Sequence, residues 1–266
     1  MTNAPLIRVE GLTKRFGGLI AVEDLSFDVG SGEILALIGP NGAGKTTTFN
    51  LIAGVLSPSA GQIALDGRRI DGMPVHKIAG LGMMRTFQHN MPFAGMSLTD
   101  NVLIGSHRKL RASVLDILAG RAFVRDEEAQ ARQRASELID FVGLDAYRDA
   151  DVTTLSFGEG RLLEIARALA GSPRVILLDE PAAGLTAAET SRLSAMIRQI
   201  AADGVSVLLV EHDMHFLLPL AHRVVVLNFG RKIAEGTSRD IVRDPAVKEA
   251  YLGEAAGALR EGAPDA

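Results

Sequence analysis

Apolar and polar residues alternate in three early stretches: Leu6-Ile-Arg-Val-Glu10, Asp24-Leu-Ser-Phe-Asp-Val29 and Gln62-Ile-Ala-Leu-Asp66. Successive strand side chains point to opposite faces, so this pattern predicts half-buried strands, the third leading into a turn at Gly67. A near-continuous apolar pattern marks Glu33-Ile-Leu-Ala-Leu-Ile38, Arg174 to Asp179 and Val205 to Glu211. Such runs are typical of parallel strands covered on both faces. From about Ser97 to Gly160 the period lengthens to that of a helix, as in Asp126 to Val142, where Leu138, Ile139 and Phe141 are expected on one side. Val224-Val-Val-Leu-Asn228 and Lys232-Ile-Ala-Glu235 predict a closing hairpin around Gly230. Residues from Glu254 onward are rich in Ala, Gly and charge, and are expected to form a loose tail. The elements predict an α/β unit with an antiparallel layer at its edge and a helical lobe inserted. No internal repeat is visible.

Composition narrows the setting. A chain of 266 residues suits one large domain or one domain with an inserted lobe. Its net charge of −4 offers no global basic surface for nucleic acid. The absence of cysteine excludes disulfides, thiolate metal sites and cysteine nucleophiles. Met1 to Arg8 lacks the charged start and long apolar core of a signal peptide. No run approaches the ~20 apolar residues that a membrane helix needs. A soluble protein is expected, attached to any membrane through another protein.

The segment Gly39-Pro-Asn-Gly-Ala-Gly-Lys-Thr46 matches the phosphate-loop pattern G-x-x-x-x-G-K-[ST]. An apolar strand precedes it, and Lys45-Thr-Thr-Thr-Phe-Asn-Leu-Ile-Ala53 predicts a helix after it. With glycine near 7% of average usage, a chance match in this length is roughly a one-in-a-hundred event. Glycines let backbone N–H groups turn inward around phosphate oxygens, beside a helix N-terminus whose dipole favours anions. Lys45 would reach the β- and γ-phosphates, and the Thr46 hydroxyl would hold Mg²⁺. Further along, Leu155-Ser-Phe-Gly-Glu-Gly160 forms a second glycine-containing loop at the start of a helix. It is followed by the strand Val175-Ile-Leu-Leu178 and the pair Asp179-Glu180, closed by Pro181.

With these pieces in order, the chain resembles the ATP-binding subunits of ABC transporters over nearly its whole length. It looks most like the ATPase subunits of bacterial branched-chain amino-acid importers. The echoes are Arg15-Phe-Gly-Gly-Leu-Ile-Ala-Val22, Arg85-Thr-Phe-Gln-His89, Leu162-Leu-Glu-Ile-Ala-Arg-Ala168, Glu180-Pro-Ala-Ala-Gly-Leu185, Glu211-His-Asp-Met214 and Ala250-Tyr-Leu-Gly-Glu254. The resemblance implies a P-loop (RecA-like) α/β core with an antiparallel β edge subdomain and an inserted α-helical subdomain. On this sequence the core would take 1–91 and 161–253, the helical insertion 92–160, and the tail 254–266.

The resemblance also implies roles. ATP and Mg²⁺ are the cofactors. Phe16 would stack on adenine with Val22 as an apolar wall. Gly39, Asn41, Gly42, Ala43, Gly44, Lys45, Thr46 and Thr47 would cradle the phosphates. Asp179 would hold Mg²⁺ with Thr46, and Glu180 would be the general base for the attacking water. His212 would contact the γ-phosphate. Gln88 would sense Mg²⁺ and the water, since an amide both donates and accepts without adding charge. Ser156, Gly158 and Glu159 would meet the ATP bound to an opposite subunit. A metal pair of His212 and His215 is disfavoured, because no third ligand is in view.

Two departures from the common family pattern stand out. L-S-G-G-Q becomes Leu155-Ser-Phe-Gly-Glu159, placing a carboxylate near phosphate unless it points away or pairs with Arg161 or a partner residue. S-A-L-D becomes Ala183-Gly-Leu-Thr186, which removes an aspartate with a cross-subunit role and leaves a hydroxyl. Met73, Met83, Met84, Met91 and Met96 crowd the region around Gln88, and some are expected to line a groove for a short permease helix.

The implied partners are a second ABC ATPase, identical or related, integral membrane permease subunits and, indirectly, a periplasmic binding protein. The implied location is peripheral, on the cytoplasmic face of the inner membrane. Lipopolysaccharide-export ATPases share the Tyr-Leu-Gly-Glu segment and a signature glutamate, but Arg85-Thr-Phe-Gln-His89 and Glu211-His-Asp-Met214 favour the importer. Soluble ABC proteins of ribosomes or DNA generally carry two nucleotide units, coiled-coil or zinc insertions and a basic surface. One unit, no cysteine and a charge of −4 argue against them.

Overall fold

The computed structural model describes residues 4–86, 92–107, 116 and 122–251. The chain runs through β1 (Ile7–Phe16), β2 (Leu19–Val29), β3 (Ile34–Ile38), α1 (Lys45–Ile52), β4 (Ala60–Leu65), β5 (Arg68–Arg69), α2 (Val75–Gly80) and β6 (Met83–Arg85). It continues through α3 (Leu98–Ser106), α4 (Ala122–Val142), α5 (Phe157–Ala170), β7 (Val175–Asp179) and α6 (Ala187–Ala202). It ends with β8 (Ser206–Val210), α7 (Met214–Leu217), β9 (Arg223–Asn228), β10 (Arg231–Gly236) and α8 (Ser238–Arg243). These elements divide into two compact units: residues up to Leu81 with those from Ile200 onward, and Gly82–Gln199.

The first unit holds two sheets. The alternating segments form an antiparallel sheet of order β2-β1-β4-β5. Its register sets Ile7 opposite both Val29 and Leu65, and Val9 opposite both Phe27 and Ile63, so the apolar sets share one buried face. The second sheet carries the continuous apolar runs. β3 pairs in parallel with β8 and with β9, and all residues of β3 and β8 are buried. The predicted hairpin is present: β10 runs antiparallel to β9 through Phe229 and Gly230, both with positive φ (44° and 79°), as a tight hairpin turn requires.

Arg223, at the start of β9, fastens this sheet. Its guanidinium donates to Glu33 at the entry to β3 (Nε–Oε1 2.8 Å) and to Asp28 on β2 (Nη2–Oδ1 2.7 Å), and pairs with Glu235 on β10. Its pKa is raised above the ordinary arginine value, first by the hydrogen bond to Glu33, against the opposing cost of burial. Nearby, the Ile34 N–H donates to Nδ1 of His222 at 3.2 Å.

In the second unit β6 and β7 pair in parallel, with Met83 opposite Val175. Ser97 caps α3 by accepting the Asp100 N–H. α3 crosses α5 at Gly105, where an added Cβ would lie 2.0 Å from the Arg167 carbonyl oxygen; only glycine permits that approach. On α4, Ala135, Leu138, Ile139 and Val142 form the buried stripe at helical spacing. Phe141, expected among them, is partly exposed because its position turns away from that stripe. Residues 254–266, expected to be a tail, lie outside the described residues.

Arg223→Ala should lower the stability of the folded chain by about 1–3 kcal/mol, since it strands several partly buried carboxylates. Urea unfolding of wild type and variant measures the difference, and equal midpoints would contradict the fastening role.

Candidate active site

In the first unit β3 ends at Ile38 and the chain turns at once through Gly39, with φ 152°. A Cβ on Gly39 would lie 2.2 Å from the Leu227 carbonyl oxygen, and one on Gly44 (φ 96°) would lie 2.5 Å from that of Ala21. Both glycines are therefore demanded by close backbone approach as well as by φ. Asn41 and Gly42 are exposed at the tip, while Ala43 is buried, donating to Pro40 O and accepting from the Gly230 N–H.

α1 begins at Lys45 behind Gly44, with no capping side chain and no acidic residue in its first turn. This leaves the positive end of the helix for an external anion. Lys45 folds back over the loop, its Nζ donating to the carbonyls of Gly39 (2.6 Å) and Pro40 (2.9 Å). Thr46 is exposed and Thr47 half-buried. Phe16 is exposed at the end of β1, with Lys14 Nζ 5.1 Å from its ring centre. Val22, expected as an apolar wall for adenine, is fully buried and backs Gly44, so it supports the loop from beneath instead of presenting surface.

His212 follows β8 and projects outward. The preceding Glu211 is buried; its carboxylate accepts the backbone N–H of His212 at 3.0 Å and lies 3.7 Å from the imidazole Nδ1. Asp213 caps α7 through the N–H groups of His215 and Phe216. Among the described residues no group of three His, Asp or Glu side chains is gathered for a metal.

In the second unit β7 delivers Asp179 and Glu180. Asp179 is buried, and its Oδ2 accepts from Arg85 Nη2 at 2.9 Å, so the carboxylate has a cationic partner on the neighbouring strand β6. Glu180 has φ 47°, in the left-handed region that non-glycine residues seldom occupy. Gln88 lies outside the described residues. For Mg²⁺ each candidate fits in kind, taken by itself: the Thr46 hydroxyl in the first unit and the Asp179 carboxylate in the second are hard oxygens. One or two protein ligands suffice for that ion when phosphate and water supply the rest.

The second glycine loop enters α5 with Ser156 as its N-cap. Glu159 turns back and accepts the Ser156 N–H at 2.7 Å, while Ser156 Oγ accepts the Glu159 N–H at 3.3 Å. The carboxylate thus closes a capping box. Burial acts to raise its pKa, but hydrogen bonds from the Tyr147 hydroxyl and Ser156 outweigh it and hold the carboxyl below its ordinary value. Arg161 is not its partner: it pairs with Glu164 and lies over the Phe157 ring, 5.1 Å from the centre. Thr186 makes a similar box, its N–H and hydroxyl both donating to Glu189 Oε2 (2.8 and 2.7 Å).

Comparison with known proteins matches residues 22–183 to the model of the family described as ABC transporter. The chain belongs to the ABC transporter family. The C-terminal part of this cassette, residues 231–257, matches a second model, described as branched-chain amino acid ATP-binding cassette transporter. The high-affinity branched-chain amino acid transport ATP-binding protein BraF of Pseudomonas aeruginosa is 42% identical to it, covering 95% of this chain and 100% of that protein. The lipopolysaccharide export system ATP-binding protein LptB of Acidithiobacillus ferridurans is 38% identical, covering 94% and 97%. A crystal structure of an ATP-binding cassette of an ABC transporter in its ADP conformation superposes with a TM-score of 0.82 at 30% identity, covering 95% and 100%.

Sequence reasoning on the cassette missed three residues. Arg85 stood in the Arg85-Thr-Phe-Gln-His89 segment, but nothing in that segment pointed to its pairing with Asp179. Glu189 was legible as the fourth residue of a Thr-x-x-Glu capping pattern starting at Thr186. Tyr147, the hydroxyl donor to Glu159, carried no sequence signal.

Replacing Glu159 with Gln should cost about 0.3–1 kcal/mol at pH 7, the worth of a charge at a helix N-terminus. Because the folded pKa is depressed, this stabilisation is present above the ordinary carboxyl value and lost as pH falls through the folded one. Urea unfolding should show wild type and Glu159→Gln converging below about pH 4.

Proposed function

We propose that this cassette hydrolyses ATP as the nucleotide-binding subunit of an importer for branched-chain or related amino acids. The observation that carries the importer reading over lipopolysaccharide export is the match of residues 231–257 to the branched-chain amino acid model. Two cassettes, identical or related, would sandwich two ATP molecules and close on binding. Hydrolysis and product release would reopen the pair and drive the permease between its states. A periplasmic binding protein would deliver the solute. The cassette would work at the cytoplasmic face of the inner membrane, held there by the permease, and no described helix is long and apolar enough to cross a membrane.

The side chains take these parts in the proposal. Phe16 stacks on the base. Backbone N–H groups of the phosphate loop and the bare end of α1 bind the phosphates, and Lys45 exchanges the Gly39 and Pro40 carbonyls for phosphate oxygens. Thr46 and Asp179 would hold Mg²⁺, with Gln88 sensing it, and the ion would supply charge neutralisation at the phosphates. Glu180 takes the proton of the attacking water, and His212 contacts the γ-phosphate. Ser156, Gly158 and Glu159 serve the nucleotide of the partner subunit.

Support for a permease surface comes from an apolar groove of about 500 Å³ in the second unit, lined by Met84, Pro92, Phe93, Ile104 and Ala168 among others. Of the methionines expected there, Met84 lines it. Met83 is buried in the core, Met96 is partly buried and not among the lining residues, Met73 belongs to the other unit and Met91 lies outside the described residues.

Glu180→Gln should retain ATP binding, lose steady-state hydrolysis by about 100-fold or more and accumulate a closed dimer on size-exclusion chromatography with ATP. Preserved turnover would remove Glu180 from the base role. Phe93→Asp should leave ATP binding unaltered and abolish co-purification with the permease; normal complex formation would remove the groove from the permease surface.

A further inference from the structure

We infer that Phe157 is a positioning residue that clasps the signature segment to the loop carrying Glu180, so that a cassette's grip on its partner's nucleotide is felt at its own general base. The inference rests on the proposed roles of Glu180 and Ser156. It accounts for two departures from the common pattern with a single contact.

Phe157 opens α5 and is half exposed, yet its ring is held on two sides. The Arg161 guanidinium, itself 5% exposed, lies 5.1 Å from the ring centre. Elsewhere the ring rests against Gly184: a Cβ added there would sit 3.0 Å from Phe157 Cε1 and 3.3 Å from Cδ1. The common family pattern has glycine at the place of Phe157 and alanine at that of Gly184. Here the volume has moved from the loop to the signature, and the ring fills the space an alanine methyl would take.

The next residue makes a second contact of the same kind. A Cβ on the buried Gly158 would lie 2.5 Å from Glu189 Oε1 and 3.2 Å from Leu185 Cδ2. Glu189 holds the far end of the same loop through the N–H and hydroxyl of Thr186. Consecutive signature residues therefore bear on Gly184, Leu185 and, through Glu189, Thr186.

Between that end and β7 the loop is short and internally bonded, with Ala183 N–H donating to Glu180 O and Leu185 N–H to Ala182 O, each at 3.2 Å. It has little slack, and it begins at Glu180, whose backbone already occupies a sparsely populated region. A shift of Phe157 when Ser156 engages phosphate must move Gly184 or open the contact, and moving Gly184 re-aims the Glu180 backbone.

The test is a double-mutant cycle on the full chain, reading kcat and KM for ATP together with the thermal unfolding midpoint. The variants are Phe157→Ala, Gly184→Ala and the pair combined. Gly184 has φ 76°, so alanine there is strained in either background, whereas the clash with the ring exists only when Phe157 is present. Each single variant should lose about fivefold or more in kcat, with KM within about twofold. The combined variant should recover to at least about threefold above the product of the two single effects, beyond the scatter of independent sites. Coupling below that level, or kcat losses that follow the unfolding midpoints, overturns the clasp. Failure of the base role has a different signature, because Glu180→Gln measured alongside would then hydrolyse ATP like wild type.

Discussion

Backbone pressed against backbone at Gly39 and Gly44 is the constraint on which the first unit depends. The carbonyls of Leu227 and Ala21 stand where side chains would otherwise begin, and the Gly230 N–H is bonded to the Ala43 carbonyl. The phosphate loop is thereby gripped by β9, the β9–β10 turn and β2, with Val22 beneath it. Its shape is set before any ligand arrives, which is what a site binding by oriented N–H groups needs. Arg223 extends the same grip to the strand ends by joining Glu33, Asp28 and Glu235.

The two glycine loops differ in how they treat a helix end. α1 starts bare, with no cap and no acid in its first turn, so its positive end is open to phosphate. α5 starts closed, with Ser156 and Glu159 satisfying each other and Tyr147 holding the carboxylate. A glutamate is accommodated at this helix end because it closes the capping box with Ser156.

At the end of β7 a buried ion pair is followed at once by a strained backbone position. Asp179 is buried but charge-compensated by Arg85, which offsets the cost of desolvating its carboxylate. Glu180 follows with φ 47°, a backbone conformation that non-glycine residues seldom occupy.

Much of the fold was legible because its signals are local. Alternation at Leu6 to Glu10, the apolar runs before Gly39 and Asp179, and the glycines of the loop each report a constraint met by near neighbours in the chain. The Ser156–Glu159 and Thr186–Glu189 boxes are local too, being set by the spacing of a helix turn. What only the tertiary structure decided are pairings between residues far apart in sequence. Arg85 with Asp179, Tyr147 with Glu159, Phe157 with Gly184 and Arg223 with three carboxylates depend on how strands and helices are brought together, and no spacing rule encodes them. The sequence by itself determined the phosphate loop, the order of the motifs and the family. The partners of Glu159 and Asp179 were decided by packing, because a charge takes its energy from whatever the fold places beside it.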